Sequence, residues 1–203
     1  MRPRAPPKRA SYHHGDLRAA LIRAALDLAA EQPLDAVTLR AVAREAGVSA
    51  AAPYHHFKDR DALLKEVAEE GFRELTRQLS EVDQSSPKDP ITRLRALGQA
   101  YVHFALGRPA HFRVMFRVRT LQESETSSGA FALLREAVSE VMATRGVSSH
   151  GRVRVLNAWA LVHGFATLAL DGPLRTLSRV EVEQLASQVI SLSVQGLTAD
   201  LTD

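Results

Sequence analysis

Eight histidines are the side chains of this sequence with the widest range of chemistry, since imidazole binds metals and exchanges protons near neutral pH. They are His13, His14, His55, His56, His103, His111, His150 and His163. No pair has the His-Glu-x-x-His spacing of a helical zinc site, and the sequence has no cysteine to assist. We therefore expect no metal site and no cofactor, and we interpret these residues as solvent, capping or phosphate contacts.

A different chemistry is indicated between Thr38 and Phe57, where the sequence predicts two short helices joined by a tight turn. Thr38 is a good N-cap for the first helix, Gly47 a good C-terminal stop, and Ser49 a good cap for the second. The second helix, over 50–57, begins with three alanines that permit close approach to base edges, and donor side chains follow them. A helix of this kind fits the major groove of DNA. On spacing alone, a purely structural helix pair is an equally good interpretation.

The elements that position this segment are also predicted to be helical, because no stretch shows the sustained period-two alternation of a strand. The fold class is therefore predicted to be all-α, with about nine helices. Their expected ranges are 16–31, 38–47, 50–57, 59–82, 91–107, 109–117, 129–144, 151–171 and 179–201, and the clearest later loops are 124–128 and 172–173. A polar segment with two prolines, 83–90, indicates a domain boundary.

Composition and charge are those of an ordinary globular protein: 203 residues, of which 45% are hydrophobic and 24% charged. Residues 1–60 hold ten Lys and Arg against six Asp and Glu, and the remainder holds sixteen against seventeen. This basic excess permits a nucleic-acid partner without requiring one. Residues 1–10 lack the apolar run of a signal peptide, and the largely apolar stretch 153–170 is interrupted by polar residues. Export and membrane insertion are therefore disfavoured.

The run from Thr38 to Phe57, with the Lys58-Asp-Arg-Asp-Ala-Leu-Leu64 that follows, resembles the DNA-binding domain of the tetracycline-repressor (TetR) family over roughly residues 17–79. The resemblance implies that Thr38, Tyr54 and Lys58 contact phosphates and that the surface from Ser49 to His55 faces base edges. The full set of implied DNA contacts is Thr38, Arg40, Ser49, Ala50, Ala51, Pro53, Tyr54, His55, His56, Lys58 and Arg60. Family members often have lysine at the position of Arg60, and arginine keeps the charge with a different geometry.

The C-terminal part resembles the family less strictly, although Trp159-Ala-Leu-Val-His163-Gly164 and Tyr12-His-His-Gly-Asp-Leu17 resemble one subgroup. The resemblance implies a ligand-binding domain, in which aromatic and apolar side chains with a few polar ones would line a cavity. The candidates are His103, Phe104, Phe112, Met115, Phe116, Trp159 and His163. The alternative for all of them is an ordinary core, with His163 a core histidine that has found its partner.

The two helices expected over 151–171 and 179–201 carry more apolar surface than one face of a small domain needs. Two such helices from each of two subunits would form a four-helix dimer interface, which the family resemblance also implies. The candidate interface residues are Leu156, Ala160, Leu185, Val189 and Leu192. Burial within a single chain is the alternative.

These features predict a basic flexible arm over 1–15, a helix-turn-helix domain over 16–58, a connecting helix over 59–83, and a ligand-binding and dimerisation domain over 84–203. The expected function is a dimeric, cytoplasmic, nucleoid-associated regulator that leaves a pseudo-palindromic operator when a small molecule binds. The arm is expected to add phosphate or minor-groove contacts.

Three alternatives to this function stay open. One is a constitutive DNA-binding regulator or an activator without a ligand response. Another is an all-helical enzyme, which is disfavoured because no nucleophile elbow, dinucleotide fingerprint or phosphate loop is found. The last is a helical interaction module whose basic face binds membranes or proteins.

Overall fold

The computed structural model describes residues 17–117 and 125–197, and within these ranges all regular structure is helical. The α-helices are α1 (Leu17–Glu31), α2 (Leu39–Glu45), α3 (Arg60–Ser85), α4 (Pro90–Gly107), α5 (Pro109–Met115), α6 (Glu125–Thr144), α7 (Gly151–Leu170) and α8 (Arg179–Gly196). Short 3-10 helices occupy Leu34–Ala36, Ala52–His55 and Pro173–Thr176. The prediction of an all-α fold is confirmed. The predicted arm, 1–15, lies outside the described residues. So do residues 12–16 of the Tyr12–Leu17 segment that resembles the subgroup.

The chain divides into two compact units, with the division along the sequence between Arg60 and Asp61. In the first unit α1 packs against α2, and α2 packs against the 3-10 helix Ala52–His55. Leu21, Val42 and Phe57 are buried in its core. These contacts fix the two short segments that the sequence singled out.

Local signals set the limits of α2 as the sequence predicted. The Thr38 hydroxyl accepts a hydrogen bond from the Ala41 N–H at 3.1 Å, which caps the first turn. Gly47 takes a φ of 69°, a left-handed conformation that glycine adopts at little cost. The Val48 N–H then donates back to the Ala43 carbonyl at 2.9 Å and closes the helix end.

The expected α-helix over 50–57 is wrong in type and length, because the structure has a four-residue 3-10 helix flanked by turns. Pro53 has no N–H and cannot donate to the Ser49 carbonyl as an α-helix requires. The Ala52 N–H donates to that carbonyl instead at 3.0 Å, and Tyr54 N–H donates to Ala51 at 3.2 Å. Hydrogen bonds between residues i and i+3 wind the segment more tightly than an α-helix. Because this segment is a 3-10 helix, the described residues contain eight α-helices where the sequence predicted about nine.

In the second unit α4 is the central helix, since it packs against α5, α6, α7 and α8. Helix α7 also packs against α6 and α8. Arg154, which is buried at the start of α7, donates hydrogen bonds to the carbonyls of Leu197 and Ser149 and so ties α7 to the end of α8. By length and composition α7 is apolar enough to cross a membrane, a test that core helices of soluble proteins also pass.

One predicted loop is wrong: α6 begins at Glu125, within the stretch 124–128 that the polar sequence indicated as a loop. Acidic residues such as Glu125 are favoured in the first turn of a helix because they complement its dipole, so polarity does not exclude helix there. Helix α3 continues to Ser85, three residues into the polar segment predicted to separate domains. The expected extension of the last helix to Leu201 lies partly outside the described residues.

Candidate functional site

An exposed surface in the first unit follows directly from the tight 3-10 segment. Most of the predicted DNA contacts in this segment are exposed, namely Ser49, Ala50, Ala51, Tyr54, His55, His56 and Lys58. Tyr54 is 55% exposed although it is a large aromatic residue, and the Lys58 side chain is 83% exposed. Tyr54, His55 and His56 make no side-chain hydrogen bond to another described residue. The Tyr54 hydroxyl and the ring N–H groups of His55 and His56 are therefore available to an acceptor on a partner molecule.

Thr38 and Arg40 lie at the first turn of α2 and are both exposed. The first turn of a helix presents N–H groups without intrahelical partners, and its partial positive charge favours anions. Both residues are thus compatible with phosphate contact, with Thr38 already serving as the cap.

Two predicted DNA contacts are placed differently by the structure. Pro53 is buried, so it shapes the segment from within. The Arg60 guanidinium donates from Nε to the Val37 carbonyl at 2.8 Å and from Nη2 to the Leu34 carbonyl at 2.7 Å. Its Nη2 also lies 3.8 Å from an Asp35 carboxylate oxygen. These bonds hold the chain that leads into α2.

A cluster of aromatic rings occupies the second unit and brings together four of the predicted ligand residues, Phe112, Phe116, Trp159 and His163. The His163 ring centroid lies 4.5 Å from that of Phe116, 5.3 Å from Phe112 and 5.8 Å from Trp159. Phe72 and Phe131 extend the cluster at 5.5 Å from Phe116 and 6.1 Å from Trp159. We call these rings, with Tyr101, the aromatic cluster.

Tyr101 is the member of the aromatic cluster that the sequence analysis missed. Its hydroxyl lies 3.0 Å from His163 Nδ1, and burial raises its pKa well above the usual range, an effect that the Trp159 side chain opposes. Burial lowers the pKa of His163, which favours the neutral ring. A tyrosine on the apolar face of α4, seven residues after Leu94, was a usable signal, because a buried phenol requires a hydrogen-bond partner.

The remaining ligand candidates lie outside this cluster. Phe104 is fully buried, and Met115 packs against Gly71 of α3. His103 is exposed, with Nδ1 3.5 Å from Glu183 Oε1 of α8. It lines an open groove of about 790 Å³ between α3, α4 and α8.

A further buried histidine, His111, was not a ligand candidate. Its Nε2 lies 3.3 Å from Glu70 Oε1, and burial lowers its pKa while Glu70 acts in the opposite direction. Among the described residues, no three His, Asp or Glu side chains are grouped as a metal ion would require.

The predicted dimer residues lie on α7 and α8, and most are exposed. Leu156, Ala160, Leu185 and Leu192 are exposed, and Val189 is half-buried. The same two helices expose Val153, Leu168 and Val180, each at least 46% accessible. Large apolar side chains are thus left uncovered within the single chain.

Comparison with known proteins gave matches over both units. A family profile described as bacterial regulatory proteins, tetR family, matches residues 21–67. A second, described as the C-terminal domain of tetracyclin repressor-like proteins, matches residues 94–192. The chain is therefore similar to one family on both sides of the division between the two units.

Solved structures with the same fold cover nearly the whole chain. A protein of unknown function from Rhodococcus sp. RHA1 is 34% identical, with a TM-score of 0.73 and coverage of 94% of this chain and 100% of its own. A tetR-family regulatory protein from Rhodococcus RHA1 is 21% identical, with a TM-score of 0.73 and coverage of 92% and 100%. The regulator FadR from Bacillus subtilis, in complex with stearoyl-CoA, is 16% identical, with a TM-score of 0.71 and coverage of 88% and 98%.

Proposed function

Because this chain belongs to the tetracycline-repressor (TetR) family of DNA-binding transcriptional regulators, we propose that it is a homodimeric repressor that releases a pseudo-palindromic operator when a small molecule binds. Proteins of this family are regulators and not enzymes. We place its action in the cytoplasm, at the nucleoid. Within the family, the subgroup with the Trp-x-x-x-His-Gly segment stays a prediction.

The observation that carries the proposal is the exposed surface from Ser49 to Lys58. Its outer residues combine small alanines with hydroxyl and imidazole donors and with the exposed Lys58 ammonium, which lies 3.8 Å from an Asp59 carboxylate oxygen. Alanine methyl groups can contact the thymine methyl group, and exposed donors suit base edges and phosphates. We assign phosphate contacts to Thr38, Tyr54 and Lys58, and base-edge contacts to the surface from Ser49 to His55.

Dimerisation through α7 and α8 would give the two copies of this surface a two-fold relation. Operators of such dimers carry half-sites about 10 to 10.5 base pairs apart, or multiples of that spacing, because the two segments must enter grooves on one side of the duplex. The exposed leucines of α7 and α8 support this arrangement.

We assign the ligand site to the aromatic cluster of the second unit. FadR, which has the same fold, is in complex with stearoyl-CoA, which supports the idea that this fold accommodates a ligand with an apolar part. Helix α3 contributes Phe72 to the cluster and begins at Arg60, directly after the proposed DNA-binding surface. A ligand that favours a shifted α3 would weaken operator binding, with a coupling of about 1 to 3 kcal/mol as is typical of allosteric proteins.

Selection of bound duplexes from a random pool tests the function directly. The full-length protein should select a consensus with two-fold symmetry, since a dimer presents two equivalent surfaces. Selection of no sequence, or of one without symmetry, would contradict the proposal.

The salt dependence of binding to the selected duplex then tests the assigned phosphate contacts. Lys58→Ala should weaken binding and reduce the slope of log K against log salt by about 0.9, as expected for one lost phosphate contact. Lys88→Ala, an exposed lysine between α3 and α4, is the matched control and should leave the slope unchanged. An unchanged slope for Lys58→Ala would remove that residue from the interface.

A further inference from the structure

The aromatic cluster contains one polar pair, Tyr101 of α4 and His163 of α7, whose hydroxyl and Nδ1 atoms lie 3.0 Å apart. Tyr101 is 7% exposed and His163 is half-buried, so water competes little for this bond. The two residues are 62 positions apart in the sequence, and only the packing of α4 against α7 brings them together.

The environment of Tyr101 determines the direction of this hydrogen bond. A buried phenol must place its single proton on an acceptor, and His163 Nδ1 is its partner among the described residues. Nδ1 must therefore carry a lone pair and no proton. A neutral imidazole has one N–H, and when Nδ1 is the acceptor that proton resides on Nε2. Burial lowers the pKa of His163, which favours the neutral ring.

His163 Nε2–H is then a donor on the opposite edge of the ring from Tyr101. It has no hydrogen-bond partner among the described residues, while Phe112, Phe116 and Trp159 surround the ring. The cluster is not sealed, because Phe116 and Trp159 are half-buried and Phe131 is exposed. One oriented donor among apolar walls is the arrangement by which small-molecule sites fix the orientation of a ligand.

We propose that His163 Nε2–H donates a hydrogen bond to the carbonyl oxygen of a neutral, largely apolar ligand, and that Tyr101 is the positioning residue that fixes the proton on Nε2. This inference rests on the proposed ligand-binding function and names the chemical class that the site accepts. The aromatic rings would contact the apolar part of the ligand.

The charges around the cluster separate this class from ionic ligands. Among the described residues, the ring contacts and hydrogen bonds of the cluster involve no lysine or arginine, and a carboxylate buried beside these groups alone would lack a counter-charge, at a large cost in free energy. Aromatic faces attract cations, but an N–H donor directed at the same site repels them. A neutral acceptor satisfies the donor without either penalty.

The proton position can be tested without any ligand. Ring ¹⁵N–¹H correlation spectra of the full-length protein near pH 7.5 should show His163 neutral and protonated on Nε2. Tyr101→Phe removes the hydroxyl and should populate the Nδ1–H form. A protonated Nδ1 in the unmodified protein would overturn the proposal.

The ligand class is tested with acetophenone and ethylbenzene, which share a phenyl ring and differ in the carbonyl. Trp159 is the sole tryptophan, so its indole N–H resonance reports binding at the cluster. The ratio of ketone to hydrocarbon affinity should fall roughly five- to tenfold in His163→Phe, as expected for one lost hydrogen bond. His103→Phe, on the exposed face of α4, is the matched control and should leave the ratio unchanged.

Three outcomes of this titration overturn the proposal: binding of neither compound, no fall of the ratio in His163→Phe, and an equal fall in His103→Phe. Each leaves operator selection unaffected, so failure of the ligand class is distinguishable from failure of the proposed DNA-binding function. A ratio that falls in His163→Phe alone supports the ligand class, even if acetophenone does not release the operator.

Discussion

At the scale of single residues, the contacts of Arg60 differ from the one that the family resemblance implied. The resemblance implied a phosphate contact at this position, where related proteins often carry lysine. The guanidinium instead reaches two backbone carbonyls, those of Leu34 and Val37, at 2.7 and 2.8 Å. Val37 directly precedes Thr38, the cap of α2. We therefore expect Arg60 to act on DNA binding through the position of Thr38.

Arg60→Lys tests this role because it keeps the charge and removes the planar fork. A single ammonium cannot reproduce the geometry of the two donated bonds, so the free energy of unfolding should fall by about 1 to 2 kcal/mol in urea titrations without DNA. Arg40→Lys, an exposed arginine of α2, is the control and should leave stability unchanged. If Arg60→Lys kept full stability and weakened only DNA binding, a direct phosphate contact would be the better interpretation.

At the scale of elements, close packing of α5 against α3 depends on Gly71. A Cβ atom at this position would lie 2.6 Å from Met115 Sδ and 2.8 Å from Met115 Cγ. Met115 is almost fully buried, so it has little room to move. The neighbouring residue Phe72 of α3 contacts Phe116 within the aromatic cluster, so the glycine sets the distance at which α3 approaches the proposed ligand site.

Gly71→Ala should therefore destabilise the protein although alanine is the better helix former. Overpacking of a buried site costs about 1 to 3 kcal/mol, while the gain in helix propensity is about 1 kcal/mol. Urea titration should show a lower midpoint for Gly71→Ala. In the control Gly107→Ala, where the added Cβ meets nothing within 4 Å, the midpoint should stay or rise. If the two variants had the same change in urea midpoint, α5 would be able to move away from the added methyl group without a loss of stability.

At the scale of the whole molecule, α7 and α8 leave several large apolar side chains exposed, and exposed apolar surface often marks an interaction site. Leu192 is 69% exposed on α8, and Val153 and Leu168 are 54% and 46% exposed on α7. Since a two-fold interface uses the same residues on both subunits, each substitution there acts twice in a dimer.

Leu192→Glu should weaken the dimer by at least about tenfold in sedimentation equilibrium, because two charges would be buried in one interface. Operator affinity should fall with it, since both half-sites must be occupied together. Ala143→Glu places the same charge on an exposed position of α6 and is the control. A dimer that is unaffected by Leu192→Glu would move the interface away from this part of α8.

The sequence by itself determined the helical fold class and the approximate residues at which most helices begin and end, because both depend on local signals. The cap at Thr38 and the left-handed Gly47 act within a few residues of their own positions. The proposed DNA-binding segment, from Thr38 to Phe57, was recognisable through its resemblance to the TetR family, because its spacing fits a purely structural helix pair equally well. Its 3-10 form was also readable in principle, since Pro53 removes the N–H that an α-helix needs.

Only the tertiary structure decided which side chains meet. The pairing of Tyr101 with His163 spans 62 positions, and the Arg60 bonds to Val37 and Leu34 span 23 and 26. The tertiary structure also placed His103 away from the aromatic cluster, on an open groove. Periodicity gives the face of a helix on which a residue lies, but the partner of that face depends on the angles and depths at which helices pack. Those depend on the volumes of side chains distant in sequence, such as Gly71 and Met115.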